Sequence, residues 1–228
     1  MMANFEDKHK PTSIKQVVFE TDKLASDIQK ICKTSQTKPI LLYGSFGLGK
    51  STIAKLLPFE IVPNIDKFAI KWIGADSMRD FTTKSHDIEA HIKCGFYQFS
   101  CIIIDEFDNY ELEFQRVLKN IVDKHKENSL FIFTTNYIDK VDQGIQSRCK
   151  KIAITPPEPE RWVGRFTEIC ELEYVPVPSD IDIIAMLSKV DDGREVMEII
   201  EDYCTSIQAA QTKNSLKKQR LPNNAKIK

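Results

Sequence analysis

Pro39-Ile40-Leu41-Leu42-Tyr43 followed by Gly44-Ser45-Phe46-Gly47-Leu48-Gly49-Lys50-Ser51 decides how this chain folds. The first five residues read as a buried strand. The next eight fit the spacing G-x-x-x-x-G-K-[ST] and lead into a helix, the only context in which that spacing has a mechanism. Glycines let successive backbone N–H groups turn inward on a phosphate chain, and the following helix adds the positive end of its dipole. Gly44, Ser45, Phe46, Gly47, Leu48 and Gly49 form the cradle, with Thr52 beside it. Lys50 reaches for the β- and γ-phosphates, and the Ser51 hydroxyl suits Mg²⁺. The helix is expected from Lys50 to about Leu57, with Pro58 ending it.

A second stretch points to the same chemistry. Cys101-Ile102-Ile103-Ile104-Asp105-Glu106 is a continuous apolar run tipped by two carboxylates, as a strand buried on both faces should be. In a doubly wound sheet ligands bind beyond the carboxyl ends of the strands, which brings this tip to the same crevice as the loop. Asp105 suits the metal, and Glu106 a general base for an attacking water. Together the two stretches describe a site for ATP with Mg²⁺.

Outward from these, strands and helices alternate. Asp22–Cys32 has helical periodicity. Phe68–Ile73, Leu130–Thr135 and Lys151–Ile154 read as strands. Helices are expected from about Arg79 to Lys93 and from Leu112 to Lys126, the latter with Phe114, Val117, Leu118 and Ile121 inward. That alternation demands a mostly parallel α/β sheet flanked by helices on both faces. Thr155-Pro156-Pro157-Glu158-Pro159-Glu160 then interrupts it as a semi-rigid hinge. Beyond lie three helical patterns, Glu160–Leu172, Ser179–Val190 with Ser179 as N-cap, and Arg194–Ala210, which make a small all-helical lid. The expected organisation is an α/β nucleotide-binding domain over residues 1–155, a lid over 156–210 and a basic tail over 211–228.

Composition is that of a globular chain with a real core: 228 residues, 42% hydrophobic, 9% aromatic. No run is long enough to span a membrane, and the first residues lack the apolar segment of a signal peptide, which implies a cytoplasmic location. Six cysteines lie scattered without a C-x-x-C pair, the usage of free thiols in a reducing compartment. The net charge of −1 conceals an asymmetry, since residues 211–228 hold six basic residues and no acidic one. Such a tail either binds nucleic acid or stays solvated and disordered, and composition does not separate the two.

With these elements in this order the chain resembles the AAA+ ATPases. Thr135-Asn136-Tyr137-Ile138-Asp139-Lys140 and Ile145-Gln146-Ser147-Arg148-Cys149 resemble the sensor and S-R-C segments of sliding-clamp loader subunits. Asp7-Lys8-His9-Lys10-Pro11 through Val17-Val18 is similar to their N-terminal segment. Asp105-Glu106-Phe107-Asp108 and Gln115-Arg116-Val117-Leu118-Lys119 are most similar to the ATPase subunit of tailed-phage clamp loaders. The resemblance implies an ATPase that opens a sliding clamp and loads it on primer–template DNA, with other loader subunits as partners. It implies that Asn136 is the sensor of the terminal phosphate, that Arg148 is an arginine finger acting in trans, and that Arg194 is the lid's nucleotide contact. Val17 and Val18 would line the adenine pocket, and Arg79, Lys84 and Lys119 would meet DNA phosphates. The resemblance also implies a helical collar beyond the lid, which the 228 residues do not include; either the sequence stops short of it or the chain is a compact relative, and a different reading stands beside the loader, a helicase-loading adaptor that uses ATP to assemble on DNA without a clamp.

Overall fold

The computed structural model describes residues 4–33, 38–74, 81–94 and 96–219, with side chains through Lys213. In chain order its elements are α1 (Phe5–Lys8), α2 (Asp22–Lys33), β1 (Ile40–Tyr43), α3 (Lys50–Ile61), β2 (Ile70–Ile73), α4 (Phe81–Lys93) and β3 (Ser100–Ile104). There follow α5 (Leu112–His125), β4 (Ser129–Thr135), α6 (Gln143–Arg148), β5 (Lys150–Ala153), α7 (Pro159–Leu172), α8 (Asp180–Leu187) and α9 (Gly193–Gln219). They form two compact units, residues 11–157 and residues 1–10 with 158–228.

The larger unit holds one five-stranded sheet in the order β2-β3-β4-β1-β5, every pair parallel. The continuous apolar runs have a direct cause. Leu41, Ile102, Ile104, Phe131 and Phe133 point to the face covered by α4, α5 and α6. Their neighbours Ile40, Leu42, Cys101, Ile103, Leu130 and Ile132 point to the opposite face, against α2 and α3. Strand side chains alternate, so a sheet covered on both sides needs apolar residues at every position. β4 lies between β1 and β3, with Leu42 opposite Thr134 and Ile104 opposite Phe133. The polar tip of β4 therefore stands between the loop after β1 and the acids after β3.

The smaller unit packs Phe166, Ile169, Cys170, Ile183, Leu187, Val196, Ile200 and Cys204 into its own core. Residues 1–10 belong here rather than with the sheet, where the sequence reading had placed them. Phe5 packs on this core, Lys8 Nζ and His9 Nε2 each lie 2.5 Å from Glu173 Oε1, and Arg165 donates to the His9 carbonyl. Three ionic or charge-assisted contacts to one short segment outweigh its lack of a strand partner.

Other expectations shift locally. α3 runs on through Pro58 to Ile61, because Ile61 is buried and the Val62 N–H closes on the Pro58 carbonyl at 3.0 Å. Val117 is exposed, and the buried flank of α5 is taken instead by Gln115. The third helix of the smaller unit continues past Ala210 to Gln219, so the first half of the basic tail is helical, and residues 220–228 lie outside the described residues. Ser179 does cap α8, its Oγ accepting from Asp182 N at 3.3 Å. Among the described residues no helix is long and apolar enough to cross a membrane.

Candidate nucleotide site

The loop after β1 needs its first glycine for two reasons. Gly44 has φ +148°, and a Cβ there would lie 2.0 Å from the Ile154 carbonyl oxygen. β5 presses on the loop at that point, the Ile154 N–H donating to the Tyr43 carbonyl at 2.7 Å. Gly47 and Gly49 also take left-handed backbone, at φ +69° and +74°, which turns the chain into α3. Lys50 is buried, and its Nζ donates to the Ser45 carbonyl at 2.6 Å, so the ammonium is folded back inside the loop that it closes.

From the loop, hydrogen bonds lead into the strand tips. Ser51 Oγ donates to Asp105 Oδ1 at 2.8 Å. Thr134 Oγ1, from the tip of β4, donates to the same oxygen at 2.5 Å, and the Glu106 N–H donates to Thr134 Oγ1 at 2.9 Å. Glu106 stands in left-handed backbone, φ +52° and ψ +50°, which costs about 1–2 kcal/mol for a residue with a side chain. Thr134 and Asn109 hold it there, the Asn109 amide donating to Glu106 Oε2 at 3.1 Å. The carboxylate itself is exposed toward solvent, as a group that must meet water should be. Asp108 completes the turn. Its Oδ1 accepts from Thr135 Oγ1 at 2.7 Å and from the Asn136 N–H at 3.1 Å, which fixes the backbone of the expected sensor.

An aromatic contact closes the mouth of this group. Phe46 of the loop meets Tyr137, next to Asn136, edge to face with centroids 5.8 Å apart, and Lys140 Nζ sits 4.3 Å above the Tyr137 ring. Beneath the acids, Tyr110 donates its hydroxyl to the Gly74 carbonyl at 2.8 Å. Burial first, then the Asp105 and Glu106 carboxylates, push its phenol up to about 12.

The expected phosphate loop, Asp105, Glu106 and Asn136 are thus brought together in one unit. Val17 is half-buried and packs with Leu48 of the loop in the same apolar cluster, with Val18 half-buried beside it. Arg148 ends α6, where Asp123 holds it, with Nε to Oδ1 at 2.6 Å and Nη2 to Oδ2 at 2.8 Å. Arg194 belongs to the smaller unit, exposed in the first turn of α9. Of the expected DNA contacts, Arg79 lies outside the described residues. Lys84 is buried, its ammonium 4.6 Å above the Tyr110 ring, and that interior placement does not offer it to a phosphate backbone. Lys119 lays its stem over Gly144.

Four residues without an assigned role emerge here. Thr134, Asp108 and Gln115 act through hydrogen bonds to elements more than twenty residues away, and Asp123 through Arg148. Gln115 is buried between the acidic turn and α6. Its amide donates to the Tyr110 carbonyl at 2.9 Å and the Lys140 carbonyl at 3.2 Å, and accepts from the Asp142 N–H at 2.6 Å. Asp142 is in turn the N-cap of α6.

The donor set suits a hard cation with phosphate: a hydroxyl bonded to a carboxylate oxygen, and an ammonium on the residue beside it. Comparison with known proteins agrees with this chemistry. The chain is 27% identical over 199 residues to replication factor C small subunit 1 of Pyrobaculum islandicum, covering 86% of this chain and 60% of that protein. It is 29% identical over 210 residues to the sliding-clamp-loader large subunit of Enterobacteria phage T4, covering 87% and 64%. Its length thus spans less than two thirds of these relatives. A mutant of Thermotoga maritima RuvB superposes with a TM-score of 0.71 at 14% identity, over 87% of this chain and 68% of that one, a likeness of fold. Residues 40–157, which run from β1 to the end of the sheet unit, match the ATPase family associated with various cellular activities. The loop, the acidic strand tip and the parallel sheet that carries them are accordingly those of an AAA protein, and the chain belongs to the AAA family of ATPases.

Proposed function

We propose that this chain is an ATP-hydrolysing clamp-loader subunit, which opens a sliding clamp and places it on primer–template DNA together with other loader subunits. The observation that carries this reading is the likeness to a named sliding-clamp-loader subunit over 87% of the chain, with the acidic turn and the Ser147-Arg148-Cys149 helix joined through Gln115.

Each residue of the site takes a role in this reading. Loop N–H groups from Gly44 to Ser51 bind the phosphates, with Thr52 beside them, and Lys50 exchanges the Ser45 carbonyl for a phosphate oxygen. Ser51 and Asp105 would hold Mg²⁺, which would supply positive charge against the phosphate oxygens. Thr134 keeps Asp105 aimed at that position and ties the Glu106 backbone to the same strand tip. Glu106 accepts a proton from the attacking water, and Asn136, its backbone fixed by Asp108, orients the water or the terminal phosphate. Val17 and Val18 form an apolar wall for the adenine, and Arg194 is read as the helical unit's own nucleotide contact. Arg148 acts on nucleotide bound by a neighbouring subunit, where a planar guanidinium matches the spreading charge of phosphoryl transfer.

Steady-state ATP hydrolysis tests the reading, measured on the chain alone, with primer–template DNA, and with that DNA plus the replication clamp of the same source. Stimulation that needs DNA and clamp together is the expected result. Stimulation by DNA alone, indifferent to the clamp, would replace the loader with a DNA-assembling adaptor.

A further inference from the structure

Arg148 is half-buried at the end of α6, and all three nitrogens of its guanidinium are anchored. Asp123 accepts from Nε at 2.6 Å and from Nη2 at 2.8 Å, and the Gly144 carbonyl accepts from Nη1 at 2.8 Å. A guanidinium has five N–H groups. These bonds take one on each nitrogen and leave one on Nη1 and one on Nη2.

Both anchors are themselves fixed. Asp123 projects from α5, whose Phe114, Leu118, Ile121 and Val122 are buried in the core. Its carboxyl sits below the ordinary range, first because Arg148 hydrogen-bonds it, with Lys119 and Lys126 adding to the effect. α6 is held by the Asp142 cap, by buried Ile145, and by Gln146, whose amide donates to the Ile138 and Val141 carbonyls at 3.0 and 2.9 Å. At Gly144 a Cβ would fall 2.8 Å from Lys119 Cδ and 2.7 Å from Asp142 Oδ1, so the helix lies flush on α5.

We propose that Asp123 is a positioning residue for the trans action of Arg148, fixing the inner edge of the guanidinium so that its two remaining terminal N–H groups face a phosphate bound by a neighbouring subunit. This rests on the finger reading of Arg148 given above. A long, partly exposed side chain otherwise samples many rotamers, and ordering it beforehand removes that entropy cost from the reacting complex. A carboxylate could also park the finger by neutralising it. The donor count favours positioning, because a phosphate can be met with the ion pair intact.

The test measures ATP turnover by the full chain, at a protein concentration where turnover per chain has reached its plateau, for wild type, Asp123→Asn, Asp123→Glu, Arg148→Ala and the Asp123→Asn/Arg148→Ala double variant. Arg148→Ala should lose about a thousandfold in kcat. Asp123→Asn should lose about tenfold in kcat with KM for ATP within about twofold, since the binding site belongs to the neighbour. Asp123→Glu should recover most of that loss. The double variant should match Arg148→Ala, because Asp123 acts only through the arginine. Melting temperatures should change by no more than about 2 °C, since the pair is partly open to solvent. Wild-type or raised turnover in Asp123→Asn beside a crippled Arg148→Ala overturns the proposal and leaves the finger standing, as does an additional loss in the double variant. An unimpaired Arg148→Ala removes the finger reading itself.

Discussion

Ser51 and Asp105 share a hydrogen bond of 2.8 Å that joins the first turn of α3 to the end of β3. Fifty-four positions separate them in the chain, and β4 stands between their strands in the sheet. Thr134, at the tip of that intervening strand, bonds the same carboxylate oxygen. The strand order thus assembles the pair proposed to hold the metal.

Asp105→Asn should therefore separate metal-dependent from metal-independent nucleotide binding. The amide keeps the size of the side chain but loses the charge that a hard cation requires. ATP affinity in the presence of Mg²⁺ is expected to fall by about tenfold or more, while affinity in excess chelator stays at the wild-type value. Titration of a fluorescent ATP analogue under both conditions reads the difference, and an equal loss in both would show that Asp105 acts structurally.

Gly44→Ala should damage folding as well as binding. The new methyl meets backbone, the Ile154 carbonyl, and φ of +148° is closed to alanine. A loss of about 2–4 kcal/mol is expected. Gly49→Ala meets nothing within 4 Å and has φ of +74°, so its cost should stay near 1 kcal/mol. Urea unfolding of the two variants should rank them in that order.

Gln115→Met keeps the volume of the buried side chain and removes all three of its hydrogen bonds. The Tyr110 and Lys140 carbonyls and the Asp142 N–H then lose a partner each, which should destabilise by about 2–3 kcal/mol. Val117→Ala, on the exposed side of the same helix, should change stability by less than about 0.5 kcal/mol. Similar losses in the two would contradict the assigned burial.

Acid should weaken the fold through His125. The ring is buried, its Nε2 has no hydrogen-bond partner, and burial holds its imidazole below the ordinary 6.5; Lys124 and Lys93 add to the depression and Glu89 opposes it. A depressed histidine charges more readily in the unfolded chain. Its neutral form costs nothing above about pH 6.5, and stability is lost as pH falls from there toward the folded value. Between about pH 7.5 and 5.5 the wild type should lose more melting temperature than His125→Gln, and parallel curves would rule His125 out.

These tests divide along what local sequence carries. The phosphate loop and the acidic strand were legible because their chemistry lies within a few consecutive residues, and the apolar runs revealed a sheet covered on both faces. Asp108, Gln115, Asp123 and Thr134 were not, since each acts through a partner that only the strand order and helix packing bring near. Val117 misled because it sits one step from the buried stripe of α5, where the polar Gln115 is buried instead. Lys84 misled for a similar reason, its charge being accommodated over the Tyr110 ring rather than in solvent. The first ten residues joined the helical unit through Phe5, Lys8 and His9, contacts that no periodicity announces.

Glu106→Gln tests the central claim most directly. Glu106 is the proposed proton acceptor for the attacking water, and its backbone is held by Thr134 whatever its side chain. The glutamine variant should bind ATP with Mg²⁺ as the wild type does and lose hydrolysis by about a hundredfold or more, the contribution of a positioned general base. ATP turnover at the wild-type rate in that variant would contradict the assignment of this group as the hydrolytic centre.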